Sequence, residues 1–486
     1  MAATSQAARS EDQQKERERR SVDIDPKLLA QIESAGAPVR MPKLPLPPAS
    51  MPGTKGTIAN FLLLVDLLRG GLDRVMEYRA KHGDVYQLAL AGRPQVATWD
   101  ADEIQRILRN DEQIWSTAMA WNALMFAGLD ARGGNSGLLV TLDFDDHRVA
   151  RKLVQPAFTT SAIEGYLRVA DRHFTPTIDE WVKNGHVMFK KEIRTLLARV
   201  AGEIFTGIRD PEKLALIDRS LSDFWHAMIA LAKNPWISPT YRRARKGLAT
   251  LLRMFLELVP ERREKGGEDL FSRVCKRDDL EHVDDEALVR ATVTVLFGAF
   301  DTTSAAMTSM GYFLAKHPEW QEKLRAEAMA AGEGTLDVAT MRGMKHHEWF
   351  WKETLRLVPL ILNVARVALR DVEVSGYKLK AGTLVAPMTG GIGRHPKWWT
   401  NPDTFDPERF SPERAEDRRH PGIYNPFGGG AHACVGMQLA NMEMKQFWHR
   451  MLRTCRIRLA PDYEGRHTVA PFGIISGDVR LALEPL

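Results

Sequence analysis

Hydrophobic positions follow a helical spacing along most of the chain, and the clearest helix runs from Asp285 to Lys316. Its centre, 293–300, is apolar on nearly every side, which predicts a buried helix. The helix must end at His317-Pro318 because proline cannot continue it. Asp301-Thr302-Thr303 follows that apolar centre. Burying polar groups costs free energy unless they are hydrogen-bonded or serve a function, so we treat these three residues as candidate functional residues.

The remaining pattern predicts a mainly α protein with a small β region. Alternating residues indicate short strands, and 3.6-residue spacing dominates from about 101 to 357. In chain order, we predict a helix over 72–82, a strand over 84–92 with a hairpin partner over 94–98, short strands over 367–385 and a last helix over 434–453. Residues 1–57 are polar and then proline-rich. They predict an N-terminal lead-in before one domain over 58–486.

Composition excludes several classes of protein. The net charge of +5 over 486 residues is too small to indicate a nucleic-acid partner. Three cysteines without CxxC spacing do not form a disulfide framework and fit a reducing compartment. The first apolar run, 61–68, is too short to span a bilayer and contains Asp66. We therefore expect a cytoplasmic protein with no transmembrane anchor, with peripheral membrane contact of 61–68 as an alternative.

The segment Phe427-Gly-Gly-Gly-Ala-His-Ala-Cys-Val-Gly436 carries the most chemical information. A metal-bound thiolate needs nearby backbone N–H groups, which glycines allow to approach, and it benefits from a helix N-terminus. Gly428 to Gly430 supply the permissive loop, and a helix opening at Cys434 would supply the dipole. Phe427 would supply an apolar cover. The alternative is an inert core cysteine, which is the usual fate of an isolated one.

This loop resembles the heme-binding loop of the cytochrome P450 family, Phe-x-x-Gly-x-(Arg/His)-x-Cys-x-Gly, at every defining position. The resemblance extends from about Leu72 to the C-terminus. It implies a single mostly α domain with heme b between the Asp285 helix and the cysteine loop. Cys434 is then the axial thiolate of the iron, and His432 contacts a heme propionate.

Further matches to the family lie outside the loop. Glu353-x-x-Arg356 resembles its Glu-x-x-Arg pair, and Arg409, in Phe405-Asp-Pro-Glu-Arg-Phe410, resembles the arginine that joins this pair in a buried structural network. The resemblance also implies three propionate-binding residues: His147, Arg151 and Arg366. Solvated surface positions are the alternative for each of these three.

Gly298-Ala-Phe-Asp-Thr-Thr303 resembles the family's distal motif, with Ala299 in place of the usual second glycine. That methyl group puts the local geometry in doubt. By resemblance, Asp301 and Thr302 relay protons for cleavage of the O–O bond, which the thiolate favours electronically. Helical spacing places Thr294, Phe297 and Gly298 on the face of Thr302. Resemblance adds pocket walls at 121–126, 359–362 and 472–475, including Ile361 and Phe472.

The implied function is a monooxygenase that inserts one atom of O2 into a lipophilic small molecule by hydroxylation or epoxidation. Candidate substrates are terpenoids, steroids, fatty-acid-like molecules and polyketides. Electrons would come indirectly from NAD(P)H through a ferredoxin reductase and an acidic ferredoxin. That ferredoxin would dock on a basic face that includes Arg148, Lys152, Lys352 and Lys445. We expect a monomer. A hydrogen-peroxide-using peroxygenase and a non-catalytic heme sensor or binding protein are the alternative functions.

Overall fold

The fold is described by a computed structural model that covers residues 44–90, 92–121, 138–228, 236–276, 284–461, 463, 465–469 and 473–486. Helices dominate, and they are numbered here in chain order. They are α1 Thr57–His82, α2 Ala101–Arg109, α3 Thr117–Trp121, α4 Phe144–Val154, α5 Thr160–Asn184, α6 Phe189–Thr206, α7 Pro211–Met228, α8 Pro239–Lys265, α9 Leu270–Cys275, α10 Asp285–Lys316, α11 Pro318–Ala330, α12 Val338–Gly343, α13 Lys345–Leu357 and α14 Met437–Thr454.

Within the described residues, the strands form four small sheets. They are β1 Val85–Leu90, β2 Arg93–Thr98, β3 Trp115–Ser116, β4 His186–Met188, β5 Arg366–Ala368, β6 Val372–Val374, β7 Tyr377–Leu379, β8 Leu384–Pro387, β9 Cys455–Leu459, β10 His467–Thr468, β11 Ile474–Ile475 and β12 Arg480–Pro485. The largest sheet has the order β1-β2-β8-β5-β3, in which only the pair β2–β8 is parallel. The others are β4-β12-β9, β6-β7 and β10-β11.

Helix α10 passes through the largest hydrophobic core and packs against α6, α8 and α4. Asp284 caps its first turn by accepting a hydrogen bond from the backbone N–H of Glu286. Such caps satisfy donors that have no partner inside the helix. The buried positions of α10 include Val293, Leu296 and Met307, each almost inaccessible to solvent. This helix therefore holds its polar residues at fixed places within the core.

The mainly α fold with small β sheets is confirmed. Helix α10 has the predicted bounds, and β1 pairs antiparallel with β2 as the predicted hairpin. The predicted helix over 72–82 is the second half of α1, which breaks at Gly71. Gly71 has φ +61°, and a Cβ there would lie 1.9 Å from the carbonyl oxygen of His467. The break therefore requires glycine. Residues 1–43 of the predicted lead-in lie outside the described residues.

Candidate active site

The cysteine loop is fixed at both ends by its backbone. The N–H of Cys434 donates to the carbonyl of Phe427 over 2.9 Å, which closes the loop. Gly430 has φ +61°, and a Cβ there would lie 2.0 Å from the carbonyl oxygen of Leu108 at the end of α2. A side chain would therefore push the loop away from α2. Phe427 is partly buried against the main core, which anchors the start of the loop.

Cys434 lies three residues before α14, so the predicted helix start at Cys434 is wrong. Helix α14 begins at Met437, and Gly436 is its N-cap. The Cys434 side chain is accessible to solvent. Surrounding protein atoms raise the pKa of its thiol above the usual value, and the N–H groups of Gly436 and Met437 and the charge of Arg151 offset only part of this rise. The turn from Cys434 to Gly436 thus directs the first N–H groups of the helix at the sulfur.

The four predicted propionate-binding residues line one cavity of about 1080 Å³ beside this loop: His147 and Arg151 of α4, Arg366 of β5, and His432. The same cavity is also lined by the cations Arg109, Arg148 and Lys152 and by the acids Asp111, Asp143 and Asp145. The rings of His147 and His432 lie 3.8 Å apart. Arg151 donates from Nη1 to the carbonyls of Ala431 and Ala433 over 3.1 and 2.6 Å. Arg366 donates from Nη1 to the carbonyls of Val364 and Ala365 over 3.1 and 3.0 Å.

The protonated forms of these groups are disfavoured. Burial lowers the pKa of His147 to about 4, with Arg151 and Arg366 contributing. Burial also holds the pKa of His432 well below its usual value, again with help from its positive neighbours. Burial lowers the pKa of Arg366 to about 10, and the charge of Asp143 partly offsets this. The two histidines are therefore neutral near pH 7, and the positive charge of this group is carried by Arg151 and Arg366, with the carboxylate of Asp143 near Arg366.

A heme fits this arrangement. Heme propionates are anions, and arginine binds a carboxylate through its parallel N–H groups. Within the described part of the chain, the guanidinium groups of Arg151 and Arg366 donate to backbone carbonyls and form no ion pair with a carboxylate. A thiol whose raised pKa is partly offset by backbone N–H groups lies in the adjoining loop. The donor set therefore offers one soft ligand for iron and cations for two carboxylates.

Glu353, Arg356 and Arg409 come together in a fully buried network. Arg356 donates from Nε and Nη2 to the two oxygens of Glu353 over 2.6 and 2.8 Å, and Arg409 donates from Nε to the same carboxylate over 3.0 Å. Arg409 also pairs with Glu416 over 3.0 Å. Both arginines donate to the carbonyl of Thr404. The network thus ties α13 to the loop that precedes the cysteine.

In α10, Asp301 forms an ion pair that sequence reasoning missed. Arg194 of α6 donates from Nε to Asp301 over 2.8 Å and pairs through Nη2 with Asp218 of α7 over the same distance. Burial raises the pKa of Asp301, and Arg194 lowers it. Thr302 donates its hydroxyl to the carbonyl of Gly298 over 2.6 Å. Gly298 is exposed, and a Cβ there would meet only open space.

Comparisons with known proteins decide the family. The cytochrome P450 family profile matches residues 52–479. The chain belongs to the cytochrome P450 family. Cytochrome P450 136 of Mycobacterium tuberculosis is 32% identical over 430 residues, which covers 87% of this chain and 86% of that protein. Human cytochrome P450 26B1 is 28% identical over 411 residues, which covers 81% and 78%.

A solved structure, the cyanobacterial CYP120A1 with bound retinoic acid, superposes with a TM-score of 0.79 at 23% identity. The superposition covers 91% of this chain and all of that one. The protein described here is therefore a heme monooxygenase with the cytochrome P450 fold. None of its helices within the described ranges is long and apolar enough to cross a membrane.

The predicted pocket residues of this cytochrome P450 differ in their surroundings. Thr294 is buried, donates to the carbonyl of Arg290 and accepts from the N–H of Leu139. Phe297 is also buried and stacks on Trp225 with ring centroids 4.2 Å apart. Ile361 is partly buried against the main core. Phe472 and 122–126 lie outside the described residues.

The predicted basic face of the P450 needs correction. Lys445 is buried and donates to the carbonyl of Met341 over 2.8 Å, so it is not a surface cation. Lys352 pairs with Asp417 over 3.3 Å. Arg148 is half exposed and pairs with Asp145 in its own helix. A lysine within a helix is usually expected at the surface. The aliphatic part of the Lys445 side chain packs in the interior, and the carbonyl of Met341 accepts a hydrogen bond from its ammonium group, so this lysine can be buried.

Proposed function

We propose that this P450 binds heme b through Cys434 and inserts one atom of O2 into a lipophilic small molecule. The observation that carries the proposal is the cluster of His147, Arg151, Arg366 and His432, in which two arginine cations and two imidazole rings line one cavity beside the cysteine loop. Such a cluster is costly to bury without anions, and two propionates would supply them.

The bound heme would supply the site at which O2 is reduced and the oxygen atom is transferred. On the cysteine side, the N–H groups of Gly436 and Met437 would stabilise the thiolate form of Cys434. Arg151 and Arg366 would exchange backbone carbonyl acceptors for carboxylate acceptors, which make stronger hydrogen bonds. Phe427 would exclude water from the sulfur. Glu353, Arg356 and Arg409 would hold the loop and take no part in chemistry.

On the other side, Asp301 and Thr302 would deliver protons. Burial raises the pKa of Asp301, so its carboxyl group exchanges a proton more readily near neutral pH than an ordinary aspartate. The Thr302 hydroxyl would hold and pass the proton. It is already oriented by the carbonyl of Gly298. Thr294, Phe297, Gly298, Ile361 and Phe472 would line the pocket, and their mainly apolar nature supports a lipophilic substrate.

We further propose an external donor of electrons, a ferredoxin supplied by a ferredoxin reductase and NAD(P)H. Arg148, a cation at the surface near the cysteine side, supports an acidic partner. Its ion pair with Asp145 reduces the net positive charge that it contributes to the predicted basic face. Turnover limited by electron delivery should then fall steeply as salt rises. Retinoic acid, which is bound in the structural neighbour, is a lipophilic molecule of the class proposed here. The similarity between the two proteins shows a shared fold and does not identify a shared substrate.

The decisive test of the ligand is Cys434→Ser. The reduced, CO-bound wild type should show the red-shifted Soret band of thiolate ligation, and the variant should lose it. Cys455→Ser is the matched control, because Cys455 is fully buried in the core and burial raises the pKa of its thiol to about 12. A Cys434→Ser protein that kept the red-shifted band would refute the assignment.

One observation favours a peroxide-using enzyme as the second candidate: both relay groups are already engaged, Asp301 by Arg194 and Thr302 by a backbone carbonyl. Thr302→Ala distinguishes the two functions. For a monooxygenase, the variant should still bind substrate and consume electrons but release more hydrogen peroxide. Loss of a relay group costs about 10²–10⁴-fold in its own step. Unchanged coupling, together with faster wild-type turnover on peroxide than on electrons, would favour the peroxygenase.

A further inference from the structure

Two segments that were predicted as separate pocket walls, 359–362 and 472–475, touch each other through their backbones. The N–H of Gly473 donates to the carbonyl of Leu360 over 3.0 Å. A Cβ at position 473 would lie 1.9 Å from the carbonyl oxygen of Pro359 and 2.8 Å from its carbonyl carbon. Non-bonded heavy atoms are in contact at about 3.5 Å, so no side chain fits into this space.

The requirement for glycine at position 473 is one of space alone. The φ angle of Gly473 lies outside the left-handed region, so other residues could adopt this backbone conformation. The residue is buried. Gly473 is therefore the point at which the hairpin β10–β11 meets the other predicted wall, and the distance between the two depends on its missing side chain.

The segment 359–362 is held in the same way from its other side. It lies in the irregular connection between α13 and β5, so no sheet fixes its backbone. The N–H groups of Gly390 and Gly391 donate to the carbonyl of Leu362 over 3.0 and 3.3 Å. A Cβ at Gly390 would lie 2.3 Å from the carbonyl oxygen of Ile361, although its φ of −87° suits any residue. Two glycine backbones thus enclose this segment.

The hairpin β10–β11 is fixed on the side away from this contact. Ile475 of β11 is fully buried in the main core, and a Cβ at Gly465 would lie 2.3 Å from Cγ2 of Ile475. The carbonyl oxygen of His467 in β10 lies 1.9 Å from the place where a Cβ of Gly71 would be. The hairpin therefore cannot retreat from a new side chain at Gly473 without disturbing a close-packed core.

The segment 359–362 nevertheless has one open side. The side chains of Leu360, Ile361 and Leu362 are only partly buried. A backbone that is displaced by a new side chain moves to its open side, because the packed sides leave no room. For this segment, the open side is the one that the predicted pocket residue Ile361 faces.

We propose that Gly473 sets the distance between these two pocket walls and so determines the width of the lipophilic group that can reach the heme. The inference rests on the proposed function, since it takes 359–362 and 472–475 as walls of the substrate pocket. Gly473 would be a positioning residue, because it touches a wall and not the substrate. A methyl group at this position would move the segment 359–362, or the preceding residue Phe472, by roughly 1 Å into the pocket.

The test measures how the heme-loaded protein binds imidazole and 4-phenylimidazole. An imidazole nitrogen that binds the heme iron shifts the Soret band, so this measurement needs neither turnover nor the native substrate. In Gly473→Ala, the affinity for 4-phenylimidazole should fall by about tenfold or more, because added atoms overpack a filled site. The affinity for the smaller imidazole should not change. Gly473→Ala/Ile361→Ala should regain affinity for 4-phenylimidazole, because removing the Ile361 side chain makes room in the pocket.

Two further variants complete the test. Gly390→Ala displaces the same segment from its other side, so it should show the same selective loss, and it replaces Gly473→Ala if that variant does not retain heme. Gly343→Ala is the matched control and should bind both ligands like wild type, because a Cβ there would meet no atom within 4 Å.

The reduced, CO-bound spectrum distinguishes failure of this inference from failure of the proposed function. A wild type without the red-shifted Soret band would contradict the proposed function. Variants that keep the full band and bind 4-phenylimidazole like wild type would overturn the role of Gly473. Equal losses of affinity for imidazole and 4-phenylimidazole, or no recovery in Gly473→Ala/Ile361→Ala, would also overturn it, since a general structural defect would have these effects.

Discussion

Two groups of buried arginines in this protein differ in their counter-charges. Arg356 and Arg409 share the carboxylate of Glu353, and Glu416 supplies a second negative charge. Arg366, in the other group, is equally buried but donates only to backbone carbonyls, and the nearby charge of Asp143 only partly offsets its burial. The arginines of the first group donate directly to carboxylates of the chain, whereas Arg366 has no carboxylate as a hydrogen-bond acceptor among the described residues and is left with room for an anion.

The contrast separates scaffold from binding site. A buried charge that keeps its own partners stabilises geometry, and removing one partner leaves the other uncompensated. A buried cation that lacks a carboxylate partner lowers the stability of the protein by itself, and this loss is recovered only when a ligand binds. The same residue type, arginine, therefore predicts opposite effects of mutation at the two places. Three predictions test this contrast, in order of decreasing effect.

The largest effect is expected for Glu353→Gln. This change removes one of the two carboxylates that pair with the buried arginines Arg356 and Arg409. The free energy of unfolding should therefore fall by about 3–5 kcal/mol. Heme retention should fall with it, because the network fixes the loop before the cysteine. Urea denaturation with and without heme measures both.

Asp371→Asn is the control for Glu353→Gln, because Asp371 pairs with Lys380 at the exposed surface, where ion pairs contribute little. A Glu353→Gln protein as stable as this control would mean that the network is not electrostatically coupled. The contrast between the two groups would then be lost.

Sequence patterns predicted the fold and the cysteine loop, and the family resemblance predicted the network of Glu353, Arg356 and Arg409, but the ion pair of Asp301 was not predicted. Helix α10 and the first hairpin follow local periodicity, which a sequence displays directly. The ion pair of Asp301 joins residues 107 positions apart on different helices, and no local pattern encodes it. The start of α14 was misplaced because the turn from Cys434 to Gly436 is set by tertiary contacts of the loop.

A smaller effect concerns pH and His147. Burial and positive neighbours lower its pKa from 6.5 to about 4 in the folded protein. The unfolded state therefore binds more protons between these two values, so stability falls as pH drops from 6.5 towards 4. The loss from this group in heme-free protein should be about 2–3 kcal/mol.

His147→Gln should remove that part of the pH dependence. Because other buried histidines also have lowered pKa values, for example His347 and His449, the measurement is the difference between the urea denaturation profiles of wild type and variant. Heme should reduce the difference, since propionates would favour the protonated imidazole. An identical slope for the two heme-free proteins would show that His147 is not desolvated.

The smallest effect on stability, and the sharpest in sign, is expected for Arg366→Met. Methionine fills a similar volume without a charge, so the heme-free variant should gain about 1–2 kcal/mol of unfolding free energy. Its affinity for heme should fall by roughly 10–100-fold, because a hydrogen bond to a charged group contributes about 1.5–3 kcal/mol.

Arg356→Met is the matched control: it leaves Glu353 with one cation fewer, so both heme-free and heme-bound forms should lose stability. Denaturation of the two heme-free variants, and the rate of heme transfer from each to a scavenger protein, separate the roles. If Arg366→Met destabilised the heme-free protein as much as Arg356→Met does, Arg366 would have a structural role like that of Arg356. The proposal that the cavity binds an anionic ligand would then lose its main support.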